Sequence, residues 1–304
     1  TLLGLILYTN FLGQLHLKTD FGYIKKPLAK AMANYSLYGL LNALGSQVAF
    51  RIDTLMVAGI IGITSSGVYA IVNVISDAIM KPAKGIIAIS SPIISRSWKN
   101  NDLDEIRMIY KKSSVVLLTL GWLVFLGIWG SIDDLISIME NSEIIQQGKY
   151  VVLVLGLAKI IDLATSVNSE IISYSKKYQF NFYALLILAV LNIVLNLVFI
   201  PIYGLVGSAI ATFCSVSIFN ISKLIFIWVN FKMQPFTFTT LKILCVVGFC
   251  WSVIYFVSFN FHPIINIILR STLLTVLYGS IILYFKISPD VNEMLYKWLK
   301  KFGW

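Results

Sequence analysis

The stretch Asn73–Ser90, NVISDAIMKPAKGIIAIS, decides what kind of protein this is. It lies within an apolar run, 68–95, of the length that crosses a bilayer as one helix. Yet it carries Asp77, Lys81 and Lys84, with Pro82 between the lysines. Each such charge at the centre of a membrane helix costs about 2.5 to 3.5 kcal/mol. A span bearing three of them needs a polar or aqueous surround, so the reading turns on what this stripe faces.

The whole chain supports a membrane setting. Its 304 residues are 58% hydrophobic and 12% charged, with a mean hydropathy of +0.83. A soluble domain is about half apolar and about a quarter charged. The fold class expected is therefore all-α, a polytopic membrane helical bundle. Full spans are predicted at 33–57, 68–95, 113–131, 150–172, 181–200, 206–230, 242–260 and 264–285. The chain opens on TLLGLILYTNFLGQL, too short to span, so 1–15 reads as the end of a truncated transmembrane helix.

Lysines and arginines alternate between the loops. Loop 16–32 carries Lys18, Lys25, Lys26 and Lys30, and loop 96–112 carries Arg96, Lys99, Arg107, Lys111 and Lys112. Loops 58–67 and 132–148 carry none. Loop 173–180 has Lys176 and Lys177, loop 201–205 has none, and the tail 286–304 is again basic. This alternation places 16–32 and the C-terminus in the cytoplasm. It also accounts for most of the net charge of +10, so nucleic acid is not an expected partner. The tail is read as a cytoplasmic amphipathic helix on the membrane surface. Segment 132–148 is read as a short amphipathic helix on the outer side, and Asp102 with Glu105 as a helix start in capping-box spacing.

Charge in a membrane helix is tolerated when it faces a bundle interior or a cavity. Asn73, Asp77, Lys81 and Lys84 follow i, i+4, i+8, i+11, so they share one face. In span 150–172, Lys159, Asp162, Ser166, Ser169 or Glu170, and Ser173 form a second stripe. Span 33–57 adds Asn42, Ser46 and Asp53, then Gln47, Arg51 and Thr54. Span 181–200 has Asn192 and Asn196 one turn apart, and Arg270 sits near the outer end of the last span, where it would snorkel. Internal pairing of Asp77 with Lys81 and of Lys159 with Asp162 is one account of these charges. It leaves Arg51, Lys81, Lys84 and Lys159 in excess over Asp53, Asp77 and Asp162. The alternative is a hydrated, net-cationic cavity that attracts an anionic headgroup. On that reading Arg51, Lys81, Lys84 and Lys159 bind substrate. Asn42, Ser46, Gln47, Asp53, Asn73, Asp77, Asp162 and Ser166 line the cavity or couple an ion.

Two segments carry a family resemblance. RIDTLMVAGIIGITSSGVYAIVNVI (Arg51–Ile75) is a helix with an internal acid, a short Gly-containing turn, then Gly-x-Tyr-Ala. IPIYGLVGSAIAT (Ile200–Thr212) is a Pro-x-x-Gly-x-x-Gly turn that opens a helix. Together they resemble the lipid-linked oligosaccharide flippases, the Wzx-type polysaccharide exporters, which are relatives of the multidrug and toxin extrusion (MATE) transporters. The resemblance implies that 33–230 is a six-helix C-terminal lobe, with 16–32 the cytoplasmic inter-lobe loop. It makes 231–285 two accessory transmembrane helices, and leaves the chain a fragment lacking the N-terminal lobe. It further implies a flippase of the bacterial inner membrane that moves a polyprenyl-pyrophosphate-linked oligosaccharide for surface polysaccharide biosynthesis (O-antigen, capsule or exopolysaccharide) by alternating access. Its partners would be the lipid-linked substrate, membrane lipids, a coupling ion (H+ or Na+) and polysaccharide polymerases.

Other readings stay open. One is a multidrug extruder or a lipid II flippase of the same superfamily. Another is a membrane enzyme of polysaccharide assembly, which the short outer loops and unpartnered His16 and His262 disfavour. No G-x-x-x-x-G-K-[ST] occurs, the three cysteines have no metal spacing, and no cofactor or catalytic residue is expected.

Overall fold

The computed structural model describes residues 26–49, 51–257, 259 and 261–287. The truncated helix at 1–15, most of the 16–32 loop, His16 and nearly all of the basic tail lie outside the described residues. The chain divides into two units, Thr1–Leu41 and Asn42–Trp304. The first is described over 26–41, which belong to helix α1 (Lys26–Ala49). Pro27 sits in its first turn, where a missing N–H leaves no bond unmade. Residues 26–32, read as loop from the sequence, are thus already helical. All that follows concerns the second unit.

Every regular element among the described residues is helical, and six helices are long and apolar enough to cross a membrane. Helix α2 (Ile52–Ile60) turns into α3 (Ile63–Asp77). A single 3₁₀ turn, Ala78–Met80, joins α3 to α4 (Lys81–Asn100). Pro82 explains that turn. Its nitrogen has no hydrogen to donate to the Ala78 carbonyl and its ring crowds it, so the helix tightens just before it.

Helix α5 (Leu103–Gly130) starts at Asp102, whose Oδ1 accepts the Glu105 N–H at 3.0 Å. The reciprocal half of the capping box is missing. Glu105 Oε2 accepts the Ser97 hydroxyl at 2.5 Å instead, which ties α5 to the end of α4. Segment 132–148 holds two short helices, α6 (Ile132–Ser137) and α7 (Ser142–Ile145), which bury Ile132, Ile136 and Ile145.

Helix α8 (Lys149–Thr165) stops at Ser166, whose φ of 51° is left-handed, and α9 (Asn168–Ser173) follows. The sequence read 150–172 as one helix. The break redirects everything from Ser166 onward, so Ser166, Ser169, Glu170 and Ser173 do not continue the helical stripe of Lys159 and Asp162.

Helix α10 (Gln179–Phe231) has 53 residues, which as a straight rod would be about 80 Å long, twice a bilayer. It is a hairpin broken at Gly204 (φ 59°, ψ −135°). Three rungs show the reversal. Phe180 stacks on Phe226 with ring centroids 3.8 Å apart, Asn192 Nδ2 reaches Thr212 Oγ1 at 3.5 Å, and Gly207 abuts the Phe199 backbone. The predicted spans 181–200 and 206–230 are its two arms. Gly204 adopts a backbone region essentially closed to other residues. Gly207 allows the close approach, because a Cβ there would lie 2.0 Å from the Phe199 carbonyl oxygen. Gly204→Ala, with nothing near the new methyl, is expected to cost only about 1–3 kcal/mol, read from thermal melts in detergent.

Helices α11 (Phe238–Phe256) and α12 (Pro263–Tyr284) pack on α5. Cys250, Leu274, Tyr278 and Ile282 join Leu117, Leu118 and Phe125 in one apolar cluster, and the Tyr278 hydroxyl donates to the Thr119 carbonyl at 3.0 Å. Arg270 does not snorkel. It donates to the Gly130 carbonyl at 2.9 Å and pairs with Asp134 Oδ2 at 3.2 Å. Asn266 Nδ2 holds the other Asp134 oxygen at 3.1 Å, so a loop acid and a span cation staple α12 to α6.

Candidate functional site

The bend between α3 and α4, the end of α1, Arg51, α2 and α8 line an open cavity of about 640 Å³. Its lining brings together Ser46, Gln47, Arg51, Asn73, Asp77, Lys159 and Asp162 from the predicted set, with Thr54, Leu55 and Met80. Asn42, Asp53, Lys81, Lys84 and Ser166 are outside that lining. Lys81 and Lys84 are exposed on α4. The lining therefore carries two cations, Arg51 and Lys159, and two carboxylates, Asp77 and Asp162. Its formal charge balances, where the sequence reading expected a net-cationic wall.

The pairing also differs from expectation. Lys159 Nζ lies 2.7 Å from Asp77 Oδ1, across from α8 to α3. The expected pairs within one helix, Asp77 with Lys81 and Lys159 with Asp162, are not made among the described residues. A one-turn spacing makes such a pair possible, but the Ala78–Met80 turn lies between Asp77 and Lys81 and alters their register. Asp162 Oδ1 accepts from Asn220 Nδ2 at 3.0 Å. Arg51 has no carboxylate within 4 Å among the described residues, and its side chain is exposed.

Asp53 sits one layer behind the cavity, 3% exposed. Its Oδ2 accepts from the Tyr69 hydroxyl at 2.9 Å and from Thr212 Oγ1 at 3.0 Å. Its Oδ1 is buried without a hydrogen-bond partner among the described residues. Beside it is a second cavity of about 20 Å³, lined also by Asn73, Lys159, Asn192 and Thr212. That is room for about one water molecule or a small ion. Asn73 and Lys159 border both cavities, so they form the partition. The polar chain continues into the hairpin, where Asn196 Nδ2 donates to Asn192 Oδ1 at 2.7 Å. A buried carboxylate with one oxygen unmet is costly, and a proton or a cation at that oxygen relieves the cost.

The two segments singled out in the sequence meet at this point. Asp53 and Tyr69 belong to Arg51–Ile75, and Thr212 closes Ile200–Thr212. Residues 40–198, just over half of the chain, match the MatE family. The chain belongs to the MatE family. A relative from Haloferax volcanii, described as a "probable low-salt glycan biosynthesis flippase", is 23% identical over 198 residues, which is 64% of this chain and 42% of that protein. An uncharacterised membrane protein of Methanocaldococcus jannaschii is 27% identical over 201 residues, 64% of this chain and 43% of that protein. The chain thus covers less than half the length of the curated relatives it matches. No solved structure matches.

This MatE chain holds a further polar cluster that the sequence reading missed. Lys223, in the second arm of α10, is 3% exposed. Its Nζ donates to Ser169 Oγ at 2.7 Å and lies 3.7 Å from the centroid of the Phe219 ring. Asp162 and Glu170 supply the opposing negative field. Ser169 Oγ donates to Asn168 Oδ1 at 3.3 Å, and Asn168 Nδ2 to Asn220 Oδ1 at 3.2 Å. Asn220 in turn holds Asp162, so an unbroken chain of side chains runs from Lys223 to the cavity wall. A signal was available, because Ser208, Thr212, Ser215 and Lys223 lie at helical spacing on one buried face. Asn220→Leu is expected to leave Asn168 Nδ2 and Asp162 Oδ1 unpaired and to cost about 2–4 kcal/mol, seen as a lower melting temperature in detergent.

Proposed function

We propose that this chain forms part of a flippase that carries a polyprenyl-pyrophosphate-linked oligosaccharide across the plasma membrane by alternating access, for assembly of surface polysaccharide. The observation that carries the reading is the cavity itself. It lies among membrane-length helices, it is lined by eight polar or charged side chains converging from three segments, and one of its cations, Arg51, has no carboxylate partner among the described residues. An exposed guanidinium offers a planar fork of donors suited to phosphate oxygens. The glycan comes from the description of the Haloferax relative. The same family and relative support transport rather than catalysis. Lys81 and Lys84, exposed on α4 and outside the cavity lining, are kept as proposed further contacts for the anionic headgroup.

Asp53 is proposed as the group that binds the coupling ion, H+ or Na+. The basic ends of the spans, with the C-terminal tail, are placed on the cytoplasmic side, and polysaccharide polymerases are the expected partners downstream. Asp77 and Asp162 in the lining favour a second reading, extrusion of a lipophilic cation.

Arg51→Ala and Lys159→Ala separate the two. In cells that depend on the protein for surface glycan, each is expected to lower the glycan more than about tenfold at unchanged protein level, since each removes a charge-assisted contact to phosphate. Export of a cationic dye should not fall. Undiminished glycan with altered dye export would overturn the flippase reading in favour of the extruder.

A further inference from the structure

The cavity has two cations, but they are not equivalent. Arg51 faces the cavity with no carboxylate within 4 Å among the described residues. Lys159 is held by Asp77 at 2.7 Å. The exposures rank the two members of that pair, with the Lys159 side chain 21% exposed and Asp77 52%. The lysine is the inner partner and the acid is the outer one.

We propose that Asp77 is a built-in competitor for Lys159, so that the cavity takes a phosphate-type anion in two steps: Arg51 first, then Lys159 once Asp77 is displaced. This rests on the anion-binding reading of the cavity given above. Displacing Asp77 is cheap, because its half-exposed carboxylate regains water when it leaves. It is also geometrically easy. Asp77 ends α3, and the helix beyond it is already interrupted by the Ala78–Met80 turn. Displacing Lys159 instead would strand a mostly covered ammonium, so the acid is the partner that moves.

The arrangement confers selectivity by charge. A single carboxylate or chloride offers Lys159 no more than Asp77 already does, and the exchange gains nothing. A diphosphate carries more charge and more acceptor oxygens than one carboxylate. It can stay on Arg51 with one phosphate while the other replaces Asp77. The pair thus filters for an anion that reaches both cations. It also keeps Lys159 neutralised when no such anion is present, which removes an unpaired charge from a low-dielectric wall.

Isothermal calorimetry with inorganic pyrophosphate on the purified protein in detergent tests the proposal. Asp77→Asn is expected to tighten binding about fivefold, the scale of a partly exposed ion pair no longer competing. That gain should vanish in the double variant Asp77→Asn with Lys159→Met. Lys159→Met alone should weaken binding more than about tenfold, because the contact to the second phosphate outweighs the cost of displacing a half-exposed Asp77. Arg51→Ala should weaken it more than about tenfold. If Asp77→Asn fails to tighten binding, or tightens it equally without Lys159, the competitor role is overturned while an Arg51-dependent wild-type signal still supports an anion cavity. If the wild-type protein shows no Arg51-dependent binding of pyrophosphate, the anion cavity falls, and the competitor role falls with it.

Discussion

Gly207→Val is expected to abolish accumulation of the protein in the membrane. A Cβ at position 207 would sit 2.0 Å from the Phe199 carbonyl oxygen and 2.5 Å from its carbon, both backbone atoms that no rotamer can move aside. The two arms of α10 must separate to admit it. Separation undoes the whole face between them, including Leu185, Leu188 and Val216, and loosens Thr212 from Asp53. Backbone overpacking of this kind belongs with the severe substitutions, more than about 4 kcal/mol. The measurement is the amount of full-length protein in isolated membranes, against Gly204→Ala as the mild neighbour. Wild-type amounts of Gly207→Val would show that the hairpin is not the packing seen here.

The second large effect concerns Asp53. On the coupling role proposed for it above, Asp53→Asn is expected to lower transport driven by an ion gradient more than about tenfold while leaving the fold intact. Asparagine keeps an oxygen for the Tyr69 and Thr212 hydroxyls, so the buried network still closes. It loses the charge that would hold a proton or a sodium ion in the small cavity beside Oδ1. The readout is surface glycan or transport in proteoliposomes, with and without an imposed H+ or Na+ gradient. Full transport by Asp53→Asn that still responds to the gradient would remove Asp53 from the coupling role. Asp53→Leu is the contrasting variant. It strands the Tyr69 and Thr212 hydroxyls in a buried site and should destabilise as well as inactivate.

These two sites were legible to different degrees. Both arms of the hairpin and the turn between them were visible in IPIYGLVGSAIAT, because proline and glycine act on the backbone locally. Asp53 was visible as a charge in an apolar run. Its partners were not, since Tyr69 lies 16 residues away and Thr212 lies 159 away. Lys223 was not among the sequence candidates, because a lone lysine shows no partner along its own helix. The packing of α9, after the break at Ser166, brings Ser169 onto its buried ammonium.

The sequence by itself determined that the chain is a bundle of membrane-length helices, where the hairpin arms and the last span begin and end, and which of them carry charge. Hydropathy over about 20 residues and local backbone chemistry are properties of a segment and need no partner. Tertiary structure alone decided who meets whom. The spacing of Asp77 and Lys81 permitted one ion pair, and the packing of α3 against α8 made another, Asp77 with Lys159. It also balanced a cavity that looked cationic and set Asp53 behind its wall. The physical reason is range. Helix formation is fixed by neighbours along the chain, whereas the energy of a buried charge depends on groups that folding brings within a few ångströms.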